Sequence, residues 1–417
     1  MKHARLFTRD FTIMVTGQII SLFGNAILRF ALSLYVLDLT GSAAAFGGIL
    51  ALSMVPTVLL SPFGGMLADR VPRQRIMWGL DFFTAALVGG YALITGTAGL
   101  PTVAVVMMLL SAIQAMYQPS VQSSVPLLAG EANLMAANGV VVQVQALASL
   151  LGPILGGVLY GTLVPKHGMA PVLLASAACF LLSAVMELFL RIPFVRRPRS
   201  GSALAQVRTD LGGAFRFLVR DNPATAQLLA IVAGLNLFLS ALFLVGLPYV
   251  IKVHLGLSAQ LYSYSEAAMG LGSILGGLLS ASLARRAGLR GSHRFLVACS
   301  GLLLPMAAVL ALGAPPMAAY GVITACVLLG MAAASLFTIA CQTFLQRITP
   351  VELLGKVASF VTMVSVCAMP LGQAMYGVLF ALLPPWLVVL AGALVSVGLS
   401  LAARRALRAA EAQMAGA

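Results

Sequence analysis

Long apolar runs separated by short polar and basic stretches repeat along this chain of 417 residues. They cover 11–37, 45–68, 76–97, 101–128, 134–164, 170–190, 224–251, 260–284, 294–313, 316–346, 354–383 and 385–403. Each approaches or exceeds the roughly 20 residues that a helix needs to cross the hydrocarbon core of a bilayer. The pattern predicts about twelve membrane-spanning helices. Proline marks one of the least obvious boundaries, because Pro384-Pro385 is what separates the last two runs.

Composition removes most other classes. The chain is 60% hydrophobic and 9% charged, with a mean hydropathy of +1.02. A soluble protein of this size has nowhere to hide that much apolar surface, so lipid must be its solvent. The net charge of +14 would suggest nucleic acid, but the placement of the basic residues argues otherwise. With the N-terminus in the cytoplasm, every Lys and Arg except Arg29, Lys166 and Lys252 falls on a cytoplasmic segment. Such asymmetry predicts an even helix count, both termini in the cytoplasm, and anionic lipid rather than nucleic acid as the partner of the basic face. The first apolar run is too long for a signal peptide and is expected to be retained.

The five cysteines and four histidines are scattered singly, with no metal-ligand spacing. Gly355-Lys356 lacks the residues that complete a phosphate-binding loop, which argues against ATP-driven transport by this chain. The expectation is therefore a non-enzymatic protein with no metal and no cofactor.

The chain also repeats itself. At an offset of 220 residues Gln122 aligns with Gln342, Leu134 with Leu354 and Gly152 with Gly372, and Gly157-Val158-Leu159 with Gly377-Val378-Leu379. Duplicated halves imply two related bundles. The division reads as an N-terminal bundle over 1–190, a cytoplasmic linker over 191–223 and a C-terminal bundle over 224–417. Within the linker, Leu204, Val207, Leu211, Phe215 and Leu218 recur at helical spacing. They predict a short amphipathic helix lying on the membrane surface.

Two motifs carry a family resemblance. The first is a run of small residues with a proline: Gly139, Ala148, Gly152-Pro153 and Gly156-Gly157. Small residues let a neighbouring backbone approach closely, and the proline bends the axis. The second is Gly65-Met66-Leu67-Ala68-Asp69-Arg70-Val71-Pro72-Arg73, between the second and third helices. The pair resembles the antiporter motif and the cytoplasmic loop motif of major facilitator superfamily exporters. Ala148 stands where that antiporter motif has glycine, and Pro72 stands where the loop motif has glycine. The resemblance implies an all-α membrane protein with twelve transmembrane helices in two pseudo-symmetric six-helix bundles. It also implies a conformational latch built from Gly65, Asp69, Arg70 and Arg73, in which Asp69 accepts charge-assisted hydrogen bonds. Shorter phrases, including Leu39-Thr40-Gly41-Ser42 and Gly213-Ala214-Phe215-Arg216, are similar to the branch of enterobactin exporters and macrolide-efflux proteins.

Charge inside a membrane protein is costly and marks candidate function. Arg29 lies within the first helix and shares a face with Asn25. It either faces a central cavity or locks two helices together. Glu266, in the eighth helix, is the selected protonatable carboxylate, and its pairing with Arg29 is an expectation. Asp81 reads as an ion-pair partner of Arg70, Arg73 or Arg75. Glu187, four residues before Arg191, reads as one half of a surface ion pair. Asp38 reads as a solvated helix end. Gln114 and Asn236 are candidate cavity-lining residues, with Gln18, Gln118, Gln143, Gln145 and Gln342 beside them. Tyr35, Phe238, Phe243 and Tyr376 are candidates for an aromatic wall.

The resemblance implies a monomeric secondary transporter of the bacterial inner membrane. It would export a drug, macrolide-like compound or siderophore in exchange for protons. A metabolite uptake carrier, a lipid-handling protein and a sensor of the same fold are the alternatives.

Overall fold

The computed structural model describes residues 7–97, 99–130, 133–193, 212–213, 215–349 and 353–415. These residues form helices and connecting turns, with no strand among them. The first six helices are α1 (Arg9–Thr40), α2 (Ala43–Arg70), α3 (Arg73–Ile94), α4 (Leu100–Ala129), α5 (Leu134–His167) and α6 (Ala170–Leu188). A π-helical turn at Arg216–Asp221 precedes α7 (Pro223–Leu235) and α8 (Ala241–Pro248). Then follow α9 (Ala259–Gly291), α10 (His293–Gly301), α11 (Leu303–Ala311), α12 (Pro316–Ile348), α13 (Leu354–Leu382) and α14 (Pro385–Ala415). Most of the predicted linker helix lies outside the described residues.

Helices α7 and α8, with π-helical Asn236–Ser240 between them and Tyr249–His254 after them, make one continuous span, as do α10 and α11. Eleven such spans among the described residues are long and apolar enough to cross a membrane. Helix α9, 33 residues long, occupies the place of the remaining predicted span. Large apolar side chains stand on the outside of the helices, Leu93 at 84% and Leu278 at 73% exposed. Only a lipid environment makes that surface favourable. The chain is a multi-pass membrane protein.

Local signals set the ends. Gly130 (φ 71°) and Gly168 (φ 70°) close α4 and α5, each returning its N–H to a carbonyl four residues back. No Cβ opposes that left-handed backbone. Most predicted boundaries agree within a few residues, but α14 continues to Ala415, well past the predicted end at 403. Its tail is rich in Ala, Leu and Arg, which favour helix. The basic residues end the hydropathy signal without ending the helix.

Packing divides the chain into two units, Met1–Leu39 with Leu52–Ser200, and Thr40–Ala51 with Gly201–Ala417. In the first unit α3 packs along α6 and α4, and in the second α9 packs along α12. Small residues sit at the contacts, as expected where van der Waals packing rather than the hydrophobic effect joins helices. A Cβ at Gly152 of α5 would collide with Ala26 of α1, and one at Gly372 of α13 would collide with the Leu237 carbonyl and Ala241. These two glycines are the pair aligned by the 220-residue repeat. Each fits its helix against the first helix of its own half, so the duplication extends from residue identity to packing. In the second unit the start of α2 also meets α13, where a Cβ at Gly47 would stand 2.8 Å from the Gly377 Cα.

Candidate functional site

In the first unit the polar side chains of α1, α3, α4 and α6 converge. Asp81 is eight residues into α3 and 2% exposed, and Glu187 is near the end of α6 and fully buried. The Ser21 hydroxyl of α1 donates to Asp81 Oδ1 at 3.2 Å. The Tyr117 hydroxyl of α4 donates to Glu187 Oε1 at 2.7 Å. Ser183, one turn before Glu187 on α6, faces Asp81 and donates to the Gly17 carbonyl at 3.0 Å. The two carboxylates are near enough to repel one another.

A small cavity opens beside Asp81, lined among others by Ser21, Asn25, Gln114 and Tyr117. It has room for roughly one water-sized guest. Asn25 connects this cavity to Arg29, whose Nε donates to Asn25 Oδ1 at 3.2 Å. The other Arg29 nitrogens reach the Ser111 hydroxyl of α4 at 3.4 Å. Arg29 thus joins α1 to α4 through neutral partners, and its charge stands at one end of a polar row that finishes at Glu187.

These contacts correct two expectations. Asp81 does not take an arginine of the basic loop. It points inward to Ser21, while the Arg73 Nε donates to Ser123 at 2.7 Å. Glu187 is not half of a surface pair with Arg191. Helix α6 ends at Leu188, so the four-residue spacing loses its helical meaning, and the Arg191 N–H turns to Asp10 Oδ1 at 3.2 Å. Asp38 is exposed at its helix end, as expected, and accepts a bond from Tyr160 at 2.7 Å.

Other sequence candidates find separate places. In the second unit Glu266 pairs with Tyr262 one turn earlier on α9. The neighbouring Ser265 bonds Thr324 of α12 at 2.6 Å. Asn236 donates back to the Val232 carbonyl at 3.0 Å within its own helix. Tyr376 is 1% exposed and is a packing residue, while Phe243, 6% exposed, borders an apolar cavity within the second unit. Tyr376 donates to the Phe238 carbonyl at 2.7 Å, satisfying backbone at the π-helical turn.

Of the antiporter-like helix, Gly152, Pro153, Gly156, Gly157 and Ala148 are buried and Gly139 is exposed. Gly152 and Gly156 face Ala26 and Phe30 of α1 in the same unit, where a close approach is required. For the loop motif, the surroundings of Gly65 and the side chain of Asp69 lie outside what is described, and Arg70 is exposed at the end of α2. Sequence reasoning missed Asp81, Glu187 and Tyr117 as a group. A legible signal existed for Ser21, which lies four residues before Asn25 and eight before Arg29, on one helical face.

Residues 14–373 match the Major Facilitator Superfamily. Macrolide efflux protein A of Streptococcus pyogenes is 26% identical over 371 residues, covering 85% of each chain. Enterobactin exporter EntS of Citrobacter koseri is 27% identical over 388 residues, covering 90% of this chain and 86% of that protein. Among solved structures, a bacterial homologue of the iron transporter ferroportin in its inward-facing state superposes with a TM-score of 0.73 at 18% identity. That superposition covers 96% of this chain and 98% of the other, and it shows the fold. Helical architecture, duplicated packing and a match over most of its length lead to one conclusion: this chain is a transporter belonging to the Major Facilitator Superfamily.

Proposed function

We propose that this transporter exports amphipathic or chelating small molecules, of the macrolide or siderophore kind, in exchange for protons. The observation that carries the reading is similarity along most of the chain to a macrolide efflux protein and to an enterobactin exporter. The small-residue run of α5, with its resemblance to the antiporter motif, supports export over uptake. Charge placement supports a bacterial inner membrane with both termini in the cytoplasm and anionic lipid at the basic face. The two halves would alternate access to a substrate as a monomer, with the Asp69 loop acting as a conformational latch.

The test is efflux from cells or vesicles containing the protein, using a panel of dyes, macrolides and siderophores with and without an uncoupler. Uncoupler-sensitive extrusion that is lost in Asp69→Asn is the expected result. Extrusion insensitive to the uncoupler would remove proton exchange. Absence of flux for every compound, from well-folded protein, would remove the export reading and turn attention to a narrow metabolite carrier.

A further inference from the structure

The carboxylates Asp81 and Glu187 have no assigned task, and their surroundings define one. Placing charge inside a membrane protein is expensive and persists where it is paired or used. Here each carboxylate has one oxygen held by a hydroxyl, from Ser21 and Tyr117 respectively. The other oxygens, Asp81 Oδ2 and Glu187 Oε2, are buried and have no hydrogen-bond partner among the described residues. Asp81 also borders the water-sized cavity. Gln18, one turn before Ser21 on α1, is 1% exposed, and neither of its amide atoms has a partner among the described residues.

The groups around the pair leave its charge unbalanced. Helix α4 contributes the neutral Tyr117, α6 contributes Ser183, and α3 itself contributes Thr84 at the cavity. Helix α1 contributes Ser21 and, two turns further on, Arg29, whose hydrogen bonds run to Asn25 and Ser111. Two neighbouring buried anions with no cation bonded to them among the described residues are held at least cost when a proton joins them. A metal ion fits less well, since hard cations take six or more oxygen ligands and the cavity holds about one water.

We propose that Asp81 and Glu187, linked through Ser21, Tyr117 and the adjoining cavity, form the site that binds one transported proton. Glu187 lies at the end of its helix that adjoins the basic loop, because the Gln74 amide donates to the Leu188 carbonyl at 3.0 Å. Asp81 lies about 12 Å along α3 from its start at 1.5 Å per residue. The pair therefore spans the distance between a membrane surface and the polar interior of the unit. Arg29 and Asn25, on the far side of the cavity, would sense whether the proton is present. This assignment rests on the proton-exchange reading.

The experiment is infrared spectroscopy of the purified full-length protein in lipid nanodiscs at neutral pH, where solvated carboxylates are ionised. The wild type is expected to show a carboxylic-acid carbonyl band that is lost in the Asp81→Asn/Glu187→Gln double variant. In Tyr117→Phe, which keeps both carboxylates, the band is expected to shift. A wild type without the band would overturn the site, and no variant needs to fold for that result. A band unchanged in the double variant, or one removed by adding sodium or calcium ions at constant pH, would also overturn it. The band is read without any transported compound, so it can be present in a chain that exports nothing, and that would sink only the export reading. Uncoupler-sensitive efflux with no such band would sink only the proton site.

Discussion

The two units use the same pair of helices differently. In the first, α3 and α6 meet around Asp81, Ser183 and Glu187. In the second, the corresponding helices α10 and α14 meet at Ser300 and Ser400, whose hydroxyl oxygens lie 3.0 Å apart. Ser400 also donates to the Ser396 carbonyl at 2.7 Å. At the repeat offset of 220 residues Asp81 corresponds to Gly301, next to Ser300. The second unit also encloses an apolar cavity bordered by Leu242, Phe243, Leu303, Met306 and Val389, where the first has the polar one. Two neutral hydroxyls are therefore sufficient to join this pair of helices. The buried carboxylates of the first unit are not required as glue, which is why a working role is the better explanation for them.

Neutralising the carboxylates tests that contrast most severely. Asp81→Asn and Glu187→Gln should each reduce uncoupler-sensitive efflux by roughly tenfold or more, equivalent to about 1.4 kcal/mol on the limiting barrier. Thermal unfolding in detergent should change little, since each amide imitates the protonated acid. A large drop in unfolding temperature with transport per folded molecule preserved would make the carboxylates structural and erase the difference between the units.

The aligned glycines should show a smaller effect, in stability. Gly372→Ala presses a methyl onto the Leu237 backbone carbonyl and should cost about 1–3 kcal/mol. Gly152→Ala meets the Ala26 methyl instead, and its cost should be at the lower end of the same range, about 1 kcal/mol. Equal costs, measured by thermal unfolding, would mean that the two halves relax alike despite their different neighbours.

Ser300→Ala removes one hydroxyl of the neutral pair and should cost about 0.6 kcal/mol, the average for a hydrogen bond between membrane helices. Efflux and its uncoupler sensitivity should stay intact, and loss of coupling here would place proton chemistry in the wrong half. Smallest of all, Gly139→Ala adds a methyl where nothing among the described residues lies within 4 Å. Its effect on unfolding should stay within about 0.5 kcal/mol. A severe loss of transport in that variant with normal folding would show that the exposed end of α5 makes a contact during the cycle.

Much of this molecule was legible before folding. Hydropathy located the spans because a bilayer demands about 20 apolar residues whatever their neighbours. The α14 tail was missed because basic residues end apolarity but not helicity. The repeat of Gly152 and Gly372 correctly indicated close helix contacts, although not which helix each would touch. Arg29 with Asn25 was visible from four-residue spacing, and the hydrogen bond between them confirms it. Asp81 and Glu187 were misread because each was judged against charges close by in sequence. Their partners Ser21 and Tyr117 lie 60 and 70 residues away.

What the sequence determined by itself is what depends on local composition: a membrane environment, the helical spans, the duplication and the family. Solvation by lipid and backbone hydrogen bonding within each helix are satisfied segment by segment, so the chain records them in order. Which polar side chains meet was decided only by tertiary structure. Helix rotation and packing choose the face that turns inward, and that choice placed two carboxylates, a phenol and two serine hydroxyls from four separate helices around one buried point.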